Sequence, residues 1–126
     1  MAAKVTSPSG ADEWFRRARR NLRMAKSMLE AGFADGSAFH SHQGAEFALK
    51  ALQLFRTGTF DRVHDLTRLA RDLGVPPRIM KLASDVTPFY TGSRYPDVGR
   101  RITRRLAEST LDKARRIVRW VRRQMV

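Results

Sequence analysis

The chain has 126 residues, 42% of them hydrophobic, and a formal charge of +13 with an isoelectric point near 11.5. That is one domain with enough apolar residues for a core, and its lack of cysteine excludes disulfides and thiolate metal sites. No apolar run approaches the ~18 residues of a membrane span, and the first residues lack the apolar core of a signal peptide, so a cytoplasmic protein is expected.

Residues 1–11 are small, polar and punctuated by Pro8 and Gly10, and are expected as a flexible leader to a single domain over 12–126. From Asp12, the residues Trp14, Phe15, Ala18, Leu22, Ala25 and Leu29 recur at steps of three and four, which predicts a helix ending near Gly32. A second helix is predicted from about Asp35 to Arg56, stopping before Gly58. Phe60 to Val63 reads as a loop, and His64-Asp65 opens a short helix closed by Gly74. Pro76-Pro77 starts another, with Ile79, Leu82, Ala83 and Val86 on one stripe, which Pro88 kinks or ends. Thr91 to Val98 reads as a loop before a long last helix, from about Gly99 to Gln124. No stretch shows the period-two alternation of strands. The expectation is an all-α, antiparallel up-down bundle of four main helices with one short extra helix.

The second helix is apolar over more than half its circumference, through residues such as Ala38, Ala45, Leu49, Leu52 and Phe55. Either it is the central helix of its own bundle, or one side faces a second copy; a homodimer is expected. The remaining arc holds His42, Gln43, Glu46, Lys50 and Gln53, and His42, Glu46 and Lys50 share one ridge at i, i+4, i+8. This ridge is either an exposed strip with a helix-stabilising Glu46–Lys50 pair, or a set of polar groups facing a cleft. On the second reading His42, Glu46 and Lys50 are candidate nucleotide or RNA contacts.

Three words of the sequence, in order, resemble the HEPN family, the "higher eukaryotes and prokaryotes nucleotide-binding" helical domain. They are Gln43-x-x-Glu46-x-x-x-Lys50, His64-Asp65-Leu66, and Tyr90 followed by Arg94-Tyr95-Pro96-Asp97. The likeness runs from Trp14-Phe15 to the last helix and is to the small stand-alone branch. It implies an up-down bundle, usually dimeric, that works with a minimal nucleotidyltransferase encoded beside it. In many such pairs the HEPN member is an RNA-cutting toxin and the nucleotidyltransferase its antitoxin, in some cases by adenylylating a HEPN tyrosine. Catalytic HEPN ribonucleases carry Arg, four to six residues, then His. Here seven residues separate Arg56 from His64 and one separates Arg62 from His64, so the strict motif is absent.

Metal-independent RNA cleavage needs a base near the 2′-hydroxyl and cations around the phosphate. His64 with Arg56 is the candidate catalytic pair, with Arg62 or Arg94 as other cation sources; the alternative role of His64-Asp65 is a helix N-cap. Arg94, Tyr95 and Asp97 form the preferred binding candidate, since a loop guanidinium, phenol and carboxylate can clamp a base and its phosphate. Their alternative is a rigid turn bent by Pro96, with Asp97 capping the last helix. His40 and His42, at i and i+2, lie on different faces and make a poor metal pair; no metal and no cofactor are expected. The charge rests on 20 Arg against 5 Lys, which suits bidentate phosphate or carboxylate pairing, although a GC-rich or heat-adapted genome gives the same bias. The stretch from Arg100 to Val126 holds nine Arg and one Lys against Glu108 and Asp112, a net of +8, and is either a solvated face or a surface for RNA or an acidic protein. The expected function is a dimeric binding module acting with a minimal nucleotidyltransferase and contacting nucleotide or RNA. The alternatives are a ribonuclease toxin using His64 and a nearby Arg, and a structural dimer without a ligand.

Overall fold

The computed structural model describes residues 4–6, 10–92 and 101–126. Six helices follow one another: α1 (Gly10–Glu30), α2 (Ala34–Thr57), α3 (Leu66–Leu73), α4 (Pro77–Val86), α5 (Phe89–Gly92) and α6 (Arg104–Gln124). The all-α bundle expected from the periodicity is the observed fold. Two differences stand out. Lys4–Thr6 (β1), inside the expected leader, pairs antiparallel with Thr59–Asp61 (β2), inside the expected loop, with Val5 opposite Phe60. Strands of three residues are too short to show alternation in a sequence. The one-turn α5 is a second short helix where only one was expected. No helix among the described residues is long and apolar enough to cross a membrane.

The helix ends follow local chemistry. Gly32 has φ +91°, and Phe33 N–H donates to Met28 C=O at 2.8 Å while Gly32 N–H donates to Leu29 C=O at 3.1 Å, closing α1 with a Schellman turn. Asp65 caps α3, its Oδ1 accepting from Thr67 N–H at 3.0 Å and from the Thr67 hydroxyl at 2.6 Å. This hydrogen bonding holds the Asp65 carboxyl below its ordinary value. α6 begins at Arg104 rather than near Gly99, because Thr103 is its N-cap and accepts from Leu106 N–H at 3.1 Å. The last helix is thus capped by Thr103 and not by Asp97. Arg104 Nη1 donates to Leu29 C=O at 2.9 Å, a cation at the C-terminal end of α1, whose own last turn has none.

Helix α2 is the centre of the bundle. Most of its apolar circumference is covered within one chain by α1, α6, α3 and β2, with Phe55 left exposed near its C-terminal end: Ala45, Ala48, Leu49 and Leu52 join Ala114, Ile117 and Val121 of α6 and Leu66 and Leu69 of α3 in one buried cluster. Of the two explanations for that circumference, the central helix is the one observed. Helices α1 and α2 approach closely at Gly44, where a Cβ would sit 2.8 Å from Leu22 Cδ2 and 3.1 Å from the Ala18 carbonyl oxygen. A second cluster joins Ala25 and Leu29 of α1 to Ala107 and Leu111 of α6. The β2 residue Phe60, 2% exposed, packs under α2 with Leu54 and Ala11 and receives the edge of Trp14 at 4.6 Å.

Candidate functional site

The polar ridge of α2 is neither an exposed strip nor the wall of an open cleft. His42, Glu46 and Lys50 are 0%, 1% and 4% exposed, buried beneath the segment between β2 and α3 and beneath α5. Ionised groups this deep need partners. Lys50 Nζ lies 2.9 Å from Glu46 Oε2 and sits over the rings of Phe60, at 5.4 Å, and Trp14, at 5.9 Å. Thus the first helix and β2 line the ammonium with aromatic faces while α2 supplies its carboxylate. One turn beyond Lys50, Gln53 Oε1 accepts from Asp61 N–H at 3.3 Å, so the same helix face also holds β2.

The other partner of Glu46 comes from eighteen residues along the chain. His64 Nδ1 lies 3.1 Å from both carboxylate oxygens. A carboxylate accepts only, so the proton sits on Nδ1, and in the neutral ring the lone pair is on Nε2. The His64 side chain is 55% exposed, so Nε2 is the nitrogen available to a ligand. Its ring lies nearly parallel to that of Tyr90 from α5, with centroids 4.5 Å apart and 12° between planes. A buried carboxylate fixes the edge of His64 and a phenol ring fixes one face, which leaves a pre-set imidazole at the surface.

Tyr90 also lies over His42, with centroids 5.3 Å apart. His42 Nδ1 comes to 3.7 Å from Glu46 Oε1, beyond hydrogen-bond distance, and neither of its ring nitrogens has a partner in hydrogen-bond geometry. Burial, with the charge of His64 adding to it, pushes the His42 pKa down to about 4, so the ring is neutral at neutral pH. The charge of Asp65 and the nearby His64 backbone offset this only in part. His40 lies apart, its Nδ1 2.8 Å from Asn21 Oδ1. Burial lowers its pKa as well. Among the described residues, no group of three or more His, Asp or Glu is arranged to hold a metal ion.

The sequence candidates thus fall into three sets. His42, Glu46, Lys50 and His64 are brought together. Arg56 is not with them: it stands ten residues beyond Glu46 on α2, about 15 Å along the axis. Its Nη1 donates to Leu73 C=O at 3.1 Å, beside a separate cleft of about 370 Å³ lined also by Asp61 and Asp72. Arg94, Tyr95 and Asp97 lie outside the described residues. Tyr90, not among the sequence candidates, is a full member of the cluster. The signal that could have found it was the resemblance, which includes that residue.

A family model for the HEPN domain matches residues 11–124. The crystal structure of TT1696 from Thermus thermophilus superposes with a TM-score of 0.84 at 32% identity, covering 90% of this chain and 97% of that one. The crystal structure of ST0689, an archaeal HEPN homologue, gives a TM-score of 0.80 at 31% identity, with 92% and 98% covered. No curated protein matches the chain.

Proposed function

This chain belongs to the HEPN domain family, and from that premise we propose that it is a binding module that contacts nucleotide or RNA at the surface carrying His64 and Tyr90. The observation that carries the reading is the stacked His64–Tyr90 pair, 4.5 Å apart at 12°, tied to buried Glu46. An imidazole fixed in this way offers its free face to a base and its Nε2 to a phosphate or sugar hydroxyl without losing rotamer freedom on binding. Arg94, Tyr95 and Asp97, which follow Tyr90 closely in the chain, belong to the same proposal as the phosphate-pairing and stacking groups. The module acts as a homodimer beside a minimal nucleotidyltransferase, as the family resemblance implies.

Thermal melting with ATP and with a short single-stranded RNA tests the contact. One of these should raise the melting temperature of the wild-type chain and not that of His64→Ala, since a ligand stabilises by about 2.7 kcal/mol at a hundred times its Kd. No shift with either, or equal shifts in both proteins, sinks the proposal. For the assembly, sedimentation should give a dimer, and a minimal nucleotidyltransferase from the adjacent reading frame should co-purify. A monomer, or failure to associate at micromolar concentration, would count against it.

One observation favours a second reading, a ribonuclease. Glu46 holds His64 in the tautomer a general base requires, with the lone pair of Nε2 outward. There Nε2 would take the 2′-hydroxyl proton while the 2′-oxygen attacks phosphorus and the 5′-oxygen leaves. The cation would be a residue other than Arg56 of the same chain. Incubation with RNA and a chelator decides it: cleavage by the wild type and not by His64→Ala supports the reading, and no cleavage rejects it.

A further inference from the structure

A groove of about 360 Å³ runs between α1 and α6, distinct from the His64 cluster, which lies among α2, the segment before α3, and α5. Its α1 wall carries Arg19, Arg23 and Lys26, spaced i, i+4, i+7, and its α6 wall carries Arg115, Arg119 and Arg122 at the same spacing. Each triplet therefore lies along one face of its helix, spanning about 10 Å at 1.5 Å per residue. The floor between the rows is apolar: Phe15 and Leu22 of α1 and Val118 of α6. No ion pair or hydrogen bond among the described residues engages any of the six cations, although Arg16, Arg17, Arg104 and Arg116 on the same two helices are paired. Six like charges around one groove repel each other, and nothing among the described residues neutralises them.

We propose that this groove docks an acidic amphipathic helix of a partner protein, with the apolar stripe of the helix on Phe15, Leu22 and Val118 and its flanking carboxylates on the two rows of cations. Four features select that occupant. The rows advance by one helical turn per cation, so carboxylates at the same i, i+4, i+7 spacing meet them in register. The apolar floor gives a helix something to bury, whereas a phosphate backbone would leave it uncovered. A second copy of this chain would bring another +13 protein, and in a two-fold pairing the same six cations, against it. Arginine predominates, and its planar fork matches a carboxylate bidentately.

The probe is a fluorescent peptide of about 15 residues, helical by design, with leucine on one stripe and glutamate flanking it on both sides. It should bind the full chain, and a peptide of identical composition in scrambled order should bind at least about tenfold more weakly. The double variant R23E/R119E, altered only at exposed side chains, should lose at least about tenfold, whereas His64→Ala should bind like the wild type. Binding of the scrambled peptide as tight as the ordered one would mean that net charge alone attracts it, and would overturn the proposal. So would full retention of affinity in R23E/R119E, or displacement of the peptide by single-stranded RNA at lower charge concentration.

Discussion

His42 makes the stability of the whole bundle sensitive to mild acid. Its ring is fully buried, both nitrogens lack partners, and its pKa falls from 6.5 to about 4. Around it stand Glu46 and Lys50 on its own helix, His64 and Asp65 from the segment before α3, and Tyr90 from α5. Below pH 6.5 the unfolded chain takes up a proton at this position that the folded chain refuses, so the stability due to a neutral His42 is complete above 6.5 and is lost as the pH falls toward 4. At 1.36 kcal/mol per pKa unit the loss comes to roughly 3 kcal/mol, a large share of the 5–15 kcal/mol typical of a domain. Urea unfolding at pH 7, 5.5 and 4.5, on the wild type and on His42→Leu, measures it. The leucine variant keeps similar volume and removes both unpaired nitrogens, so it should match or exceed the wild type at pH 7. Its advantage should widen by about 2–3 kcal/mol at pH 4.5. Parallel pH profiles for the two proteins would refute the reasoning, because the acid sensitivity would then reside in other groups.

Further substitutions probe the rest of the framework. Glu46→Gln leaves Lys50 buried without its carboxylate and should cost about 3–5 kcal/mol in urea unfolding; a loss below about 1 kcal/mol would mean that water reaches the pair. Gly44→Ala should destabilise by about 1–3 kcal/mol, since its Cβ meets Leu22 and the Ala18 carbonyl. Gly36→Ala meets only the flexible Met28 side chain and should stay within about 1 kcal/mol of the wild type, because the gain in helix propensity offsets the contact. Asp65→Ala should lose about 1 kcal/mol of cap energy. It should leave the melting shift with ATP or RNA unchanged, which separates the cap from its neighbour His64.

Helix ends were readable where one residue's own chemistry decides them. Gly58 and Gly74 adopt positive φ at the ends of α2 and α3, Asp65 caps α3, and Pro77 starts α4, all near the expected positions. The start of α6 was missed because Thr103 competes for the cap with residues upstream, and spacing alone does not choose between them. The ridge on α2 was legible as a ridge, but its burial was not. Whether the ridge faces water depends on His64, eighteen residues from Glu46, on Tyr90 against His64 and His42, and on Trp14 and Phe60 over Lys50, from elements the ridge itself does not name. Periodicity reports which residues share a face and is silent on what is laid over that face. Arg56 illustrates the converse: a few residues from His64 in sequence, it is carried away by the rise of the helix.

The short ribbon of β1 and β2 has a practical consequence for anyone handling this protein. Thr59–Asp61 lies just ahead of His64, and its outer edge is occupied by Lys4–Thr6. Shortening the chain past Thr6 would strip that edge and leave unpaired backbone donors and acceptors open to a neighbouring molecule. An affinity tag fused ahead of Lys4 would pull on the same strand. Tags placed after Val126 avoid both hazards, and trimmed versions with altered ligand affinity should be suspected first of a loosened ribbon.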